Sequence, residues 1–193
     1  MRPQITRWGI TLYLLVGTLP QSAHADEGRV PISMQAALLA KVVAYDRNLD
    51  KRAGDHLQVL LIGKENEPSS ERDVSQMRDA LKTLPTIVGR PFEVGTLEGT
   101  DPTSLAKEAL RRHAHIVYLG SGFTSADVKT FSAAVSGGDL FTAAADPNMV
   151  RDGIVLGFSL QMGKPQLIVN SQQASRQNVE LAAGVLQLAK VLP

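Results

Sequence analysis

The sequence predicts an α/β fold, a three-layer α/β sandwich around a mostly parallel sheet of about six strands. Short apolar runs alternate with segments of helical periodicity three or four times along the chain, and this alternation requires parallel strands joined by right-handed crossovers. Nearer the C-terminus two alternating segments lie side by side, which indicates a C-terminal antiparallel hairpin. Apolar residues at helical spacing then predict a long C-terminal helix.

The first helix is predicted over residues 30–45, before any strand. One face of it is apolar and should be buried. The members of that face are Met34, Ala37, Leu38, Val42 and Tyr45. Residues 46–55 follow with charges of both signs and with Gly54, a composition typical of a loop or a helix end.

Two strand–helix units come next. Residues 57–62 form a nearly uninterrupted apolar run, as expected of a strand that is covered on both faces. Ser70 and Asp73 have the spacing of a capping box and predict the start of the following helix. A second strand is predicted over 92–97, and Asp101 followed by a proline predicts the N-cap of the second helix.

The third unit pairs a strand at 115–119 with a helix that begins after Thr124, where Asp127 completes another capping-box pattern. A fourth strand is predicted over 140–145, although alanine is a poor strand former.

The predicted hairpin combines 154–162 with 166–169 across a turn that contains Gly163. Ser171 then predicts the N-cap of the final helix. The buried face of that helix should comprise Val179, Ala182, Ala183, Leu186 and Ala189.

Residues 1–25 have the pattern of a cleavable signal peptide. Arg2 and Arg7 precede an apolar stretch at 8–16, and cleavage is predicted after Ala25. The stretch is shorter than the ~20 apolar residues that span a bilayer, so a membrane anchor is the less favoured interpretation. The sequence therefore predicts export from the cytoplasm, and residues 26–193 fit a single domain.

Composition argues against several classes of function. Lys and Arg number 20 against 19 Asp and Glu, and loss of the leader makes the balance slightly negative. Nothing in this balance indicates nucleic acid or an anionic membrane surface as partner. The sequence contains no cysteine, which excludes thiol chemistry and disulfides, although the predicted compartment would permit disulfides.

The predicted topology places a candidate ligand crevice at the carboxyl ends of the strands, where open α/β sheets bind ligands. The loop after the third strand contains Gly120, Ser121, Gly122 and Phe123, and Asp146 follows the fourth strand. The loop precedes a helix N-terminus, a place that favours anions. It lacks the lysine of a P-loop and the spacing of a dinucleotide fingerprint, so a tight strand-to-helix turn is favoured over a ligand loop.

No catalytic or metal-binding motif stands out, and no cofactor is indicated. His113 and His115 form an H-x-H pattern, but Arg111 and Arg112 beside them would repel a metal. The G-x-S-x-G pattern of a serine hydrolase is missing. The acidic residues lie mostly at predicted helix starts and in loops, where capping and solvation explain them. An enzyme is therefore the least favoured class of function, because the sequence offers no nucleophile or acid–base pair to test.

The order of elements resembles the YfiR family of small periplasmic proteins (YfiR/HmsC-like). Most of the resemblance lies in the C-terminal third, which has a glycine, an apolar strand, a turn with Gly and Lys, a strand ending in Asn, and a helix rich in Leu and Ala. The matching residues are 153–158, 163–164, 167–170, 181, 186 and 188–191. The strand at 116–119 is similar to the family's apolar third strand, and the likeness extends over about 34–191.

The resemblance implies a non-enzymatic regulator that binds and represses the periplasmic domain of an inner-membrane signalling protein. In the best-known cases that protein is a diguanylate cyclase, which controls cyclic-di-GMP and biofilm. The resemblance also implies a homodimer. Family members that sense redox conditions use cysteines, which this chain lacks. The alternative, from another class of protein, is a small-ligand sensor or carrier that uses the crevice around Ser121 and Asp146.

The candidate partner interface comprises Tyr45, Asp46, Arg47 and Asn48. A charged stretch of this kind is typical of a solvated helix end, and mixed charges are also common at interface rims. Many relatives carry aromatic residues with Trp-Pro at this place, so the contacts with a partner are expected to differ in this chain.

Overall fold

The computed structural model describes residues 29–193. The predicted signal peptide, residues 1–25, lies outside the described residues. The helices are α1 (Ile32–Val43), α2 (Leu49–Arg52), α3 (Pro68–Lys82), α4 (Pro102–Arg111), α5 (Ser125–Val135), α6 (Ser171–Arg176) and α7 (Ala183–Leu188), with a 3₁₀ turn at Pro147–Val150. The strands are β1 (Leu57–Lys64), β2 (Phe92–Gly99), β3 (Ile116–Leu119), β4 (Phe141–Ala144), β5 (Leu156–Gln161), β6 (Lys164–Asn170) and β7 (Ala189–Leu192).

The strands form one sheet in the order β2-β1-β3-β4-β5-β6-β7. Neighbouring strands are parallel except β5 and β6, which form the antiparallel hairpin. Val59 of β1 pairs with Val94 of the edge strand β2 on one side and with Ile116 of β3 on the other. The predicted α/β class, the mostly parallel sheet and the hairpin are confirmed, and the sheet has one more strand than expected.

Helices cover both faces of the sheet, as in the predicted sandwich. Val59 and Leu61 of β1 belong to the core shared with α1 and α3, whereas Leu60 and Ile62 belong to the core shared with α4 and α5. Because both faces of β1 are buried, its residues from Val59 to Ile62 are all apolar and do not alternate with polar ones. No helix within residues 29–193 has the length and apolarity that crossing a membrane requires.

The buried face of α1 differs from the predicted face. Met34 is 43% exposed and Tyr45 54% exposed, and of the predicted set only Val42 is buried. The residues that α1 buries are Ile32, Gln35, Ala36, Leu39, Val42 and Val43. The polar member of this set has a buried partner, since the hydroxyl of Tyr118 donates to Oε1 of Gln35 at 2.9 Å, and this bond removes the cost of burying an amide.

The two capping-box predictions have different outcomes. Thr124 and Asp127 form the reciprocal box at the start of α5, as predicted. Ser70 and Asp73 do not cap α3, because that helix already begins at Pro68. Both residues lie within the helix, and their side chains are buried against other elements. Ser70 accepts from the backbone N–H of Lys64, and Asp73 accepts from that of Ser121. The N-cap predicted at Asp101 is confirmed, with its carboxylate accepting from two backbone N–H groups.

The prediction of one long C-terminal helix is wrong. Helices α6 and α7 are separated by residues 177–182, and β7 follows α7 and pairs with β6. Asn178 has a φ of 53°, a left-handed conformation that an α-helix cannot contain. The intervening residues are tied to the loop after α1, where Asp46 and Leu181 form a β-bridge. The N-cap of α6 is Asn170 rather than Ser171, whose hydroxyl donates to the carbonyl oxygen of Leu192 at 2.9 Å.

Candidate functional site

The strand order creates a topological switch point between β1 and β3. The chain crosses from β1 to β2 on one side and from β3 to β4 on the other, so the carboxyl ends of β1 and β3 border a crevice of the kind that binds ligands in open α/β sheets. We call this place the switch-point crevice. The backbone N–H of Gly120 donates to the carbonyl oxygen of Ile62 at 2.9 Å. This bond places the predicted loop 120–123 at the crevice.

Three polar side chains meet at the switch-point crevice. Asp73 of α3 is 5% exposed and accepts from the backbone N–H of Ser121 at 3.0 Å and from the Ser121 hydroxyl. Arg29 precedes α1 in the chain, and its Nη2 donates to Asp73 Oδ2 at 3.2 Å and to Ser121 Oγ at 2.9 Å. The hydroxyl of Ser121, the predicted crevice residue, is therefore bonded to groups of the same chain.

The two glycines of the loop permit α3 to enter the crevice. A Cβ atom at Gly120 would lie 2.6 Å from Ser70 Oγ, and one at Gly122 would lie 2.2 Å from Cγ of Glu67. Gly122 also has a φ of 90°, which glycine adopts without strain. The first turn of α3 thus occupies the space beside the loop. This arrangement agrees with a tight strand-to-helix turn, the favoured interpretation of the motif.

Phe123 and Asp146 lie apart from this network. Nζ of Lys64 lies 5.8 Å from the centre of the Phe123 ring and donates to Asp127 at 2.8 Å. That ammonium group and the Thr124 backbone N–H lower the pKa of Asp127. Asp146 accepts from the backbone N–H of Asn148 at 2.9 Å and caps the 3₁₀ turn. Asp146 therefore bonds within its own loop, and Phe123 lies beside Lys64 rather than beside Ser121.

Among residues 29–193, no histidine lies beside Ser121 to act as its base. His56 precedes β1 and His115 precedes β3, so both imidazoles lie at the amino ends of the strands, opposite Ser121. Nδ1 of His115 accepts from the backbone N–H of Gln58 at 2.9 Å, and burial lowers its pKa. His113 has a φ of 52° in the turn before β3. Within residues 29–193, no three His, Asp or Glu side chains cluster as metal ligands would.

The four candidate interface residues divide into two inward and two outward side chains. Asp46 forms a buried ion pair with Arg52, and it accepts from the backbone N–H of Asn48 at 3.1 Å. Asn48 is 9% exposed and its amide donates to the Asn178 carbonyl at 3.2 Å. Tyr45 is exposed, and Arg47 forms a surface ion pair with Glu180 at 3.0 Å. Only Tyr45 and Arg47 offer side chains to a partner.

An apolar groove beside Tyr45 was missed by the sequence analysis. It is lined by Leu38 and Val42 of α1, by Tyr45 in the turn after α1, by Leu167 of β6, and by Val185 and Leu188 of α7, with Lys41 and Gly184. Met34, Leu38 and Tyr45 were predicted to face the core, and the prediction of a continuous last helix concealed the position of Leu188. α1 carries apolar residues, such as Leu38, that do not belong to its buried face. This excess of apolar residues is the sequence signal that could have revealed the groove.

Comparisons with known proteins give one family and several structures of similar fold. The family model described as YfiR/HmsC-like matches residues 33–190. No curated protein matches the sequence significantly.

Three solved structures share the fold at low sequence identity. An ABC domain from Streptococcus pneumoniae in complex with L-Trp has a TM-score of 0.59 and 10% identity over 84% of this chain and 62% of that one. A conserved domain protein from Vibrio cholerae has a TM-score of 0.54 and 10% identity over 83% and 60%. An open, ligand-free substrate-binding protein from Clostridium difficile has a TM-score of 0.53 and 12% identity over 79% and 58%. The chain thus spans about three fifths of each of these proteins.

Proposed function

Since the chain belongs to the YfiR/HmsC-like family, whose model matches residues 33–190, we propose that it is a periplasmic regulator that acts by binding rather than by catalysis. Its partner is the periplasmic domain of an inner-membrane signalling protein, which it holds inactive. The partner class that we propose is a diguanylate cyclase, as the resemblance to the family implies, so that the output is the level of cyclic-di-GMP.

The filling of the switch-point crevice is the observation that carries this proposal. Ser121 is bonded to Asp73 and Arg29, and the first turn of α3 fits against Gly120 and Gly122 with no room for a Cβ atom. A substrate or small ligand would have to displace these groups before it could reach Ser121 at the carboxyl end of β3. The surface of the domain is then its means of recognition.

The alternative, a small-ligand sensor, draws on the fold alone. One of the similar structures contains bound L-Trp, and another is a substrate-binding protein. Their sequences are only 10% and 12% identical to this chain. A thermal-shift screen of metabolites distinguishes the two functions, because a tight ligand stabilises the native state by mass action. The regulator proposal expects no shift from any small molecule.

Crosslinking of the cell envelope tests the proposed partner. The mature protein, tagged at its C-terminus, should co-purify with an inner-membrane protein that has a periplasmic domain, and the recombinant periplasmic domain should then bind the purified protein directly. Failure of direct binding would contradict the proposal. The homodimer implied by the family is also proposed, and light scattering of the purified protein tests it.

A further inference from the structure

The apolar groove leaves large side chains in contact with water. Leu188 is 79% exposed and Tyr45 54% exposed, whereas the floor residue Val42 is 4% exposed. Leu188 also borders Met162 and Pro165, so the apolar surface continues from the groove to the tip of the β5–β6 hairpin. Met162 is 95% exposed there. Contiguous exposed apolar surface of this kind marks interaction sites in proteins.

The charges around this surface have one sign. Lys41 lines the groove and Lys164 borders Leu188 at the hairpin, whereas no carboxylate of residues 29–193 lines either place. Within the described part of the chain, neither lysine forms an ion pair with a carboxylate. An occupant with carboxylates beside its apolar side chains would therefore complement the groove electrostatically.

We propose that the apolar groove docks an amphipathic helix of the partner, with apolar side chains on the floor and carboxylates beside Lys41 and Lys164. This inference rests on the proposed function and names the surface and chemistry of its partner. A groove between α1 and α7 with Leu167 and Val42 at its floor accepts the projecting side chains of a helix at positions i, i+3, i+4 and i+7.

Two other occupants fit the observations less well. A second copy of the chain would bring a second set of unpaired lysines to a surface that has no lining carboxylate, and like charges at an interface oppose association. The proposed homodimer therefore uses another surface. A bilayer would contact Leu188 and Met162 but would leave the recessed Val42 and Leu167 unfilled.

A pair of synthetic peptides tests the groove without knowledge of the partner. Both are amphipathic helices of about five turns with the same apolar residues, and they carry either glutamates or lysines beside the apolar face. Fluorescence anisotropy with the mature protein should give at least about tenfold tighter binding of the acidic peptide at low salt. Added salt should reduce this preference, because it screens exposed charges.

Matched variants locate the binding surface. Leu188→Glu should weaken binding of the acidic peptide by about tenfold or more, since it removes a central apolar anchor. Leu110→Glu is its control, because Leu110 is 36% exposed on α4, on the opposite face of the sheet. The double variant Lys41→Glu/Lys164→Glu should abolish the preference for the acidic peptide. Lys107→Glu, an exposed change on α4, should leave that preference unchanged.

Four results would overturn the proposal. They are equal binding of the two peptides, binding that Leu188→Glu does not weaken, a wild-type dimer that Leu188→Glu dissociates, and flotation with anionic vesicles that depends on Leu188. The proposed function can fail separately: if no signalling domain binds the protein but the peptides behave as expected, the docking surface stands and the partner class is wrong.

Discussion

The guanidinium group of Arg52 and the carboxylate of Asp46 form an ion pair from which water is almost completely excluded. The two side chains are 1% and 0% exposed. Asp46 also accepts from the backbone N–H of Glu180 at 3.0 Å, and Arg52 donates to the carbonyl oxygen of Asn178 at 2.9 Å. The pair thereby ties the segment between α6 and α7 to the loop after α1, and so positions one wall of the apolar groove.

Removing one member of this pair should strongly destabilise the protein. Arg52→Ala leaves the Asp46 carboxylate buried without its counter-charge, and the expected loss is about 3–5 kcal/mol of unfolding free energy. Urea denaturation followed by circular dichroism measures it. Arg47→Ala, which breaks the exposed pair with Glu180, is the control and should cost about 0–1 kcal/mol. Equal losses in the two variants would contradict a structural role for the buried pair.

The close contact of Gly120 with α3 predicts a second stability effect. A Cβ atom at Gly120 would lie 2.6 Å from the hydroxyl oxygen and 3.0 Å from the carbonyl oxygen of Ser70. Gly120→Ala should therefore cost about 1–3 kcal/mol through overpacking. Gly54→Ala is the matched control, because no atom in the described part of the chain lies within 4 Å of its added methyl group. Thermal unfolding of both variants measures the difference, and an unaffected Gly120→Ala protein would show that the crevice is more open than described.

Burial of Tyr118 predicts a specific loss of stability in alkali. Burial raises the pKa of its hydroxyl well above the ordinary value of 10.0. Because the folded-state pKa lies above the unfolded one, the contribution of the neutral phenol is complete below pH 10 and declines as pH rises toward the folded-state value. The decline is about 1.4 kcal/mol for each pH unit in that interval.

Tyr118→Phe provides the comparison. At neutral pH the variant should be less stable by about 1 kcal/mol, since Gln35 Oε1 loses its hydrogen-bond donor. Above pH 10 the difference between the two proteins should shrink, because ionisation of this phenol stabilises the unfolded state of the wild type and has no counterpart in the variant. Denaturation curves across this pH range test the prediction. A constant difference would contradict the assigned cause.

Local patterns in the sequence predicted much of the fold, and contacts between distant residues account for the errors. The box of Thr124 and Asp127 forms within three residues, so its pattern was sufficient. Ser70 and Asp73 have the same three-residue spacing, but the hydrogen-bond partner of Asp73 is Ser121, which lies 48 residues away. Neither propensity nor spacing reports such a partner.

The apolar groove shows the same limitation. The buried face of α1 was misjudged because Gln35 looks like a surface residue until its partner Tyr118, 83 residues away, is known. The final helix was predicted to be continuous because the bond between Asp46 and the backbone of Glu180 spans 134 residues. Once both errors are corrected, Leu38, Tyr45 and Leu188 lie together on one exposed surface.

The level of cyclic-di-GMP in cells tests the central claim most directly. Deletion of the gene should raise that level, because the account makes the protein a repressor of a diguanylate cyclase. Wild type and Leu110→Glu should restore the original level, and Leu188→Glu, secreted in equal amount, should fail to do so. An unchanged level after deletion would contradict the proposed output.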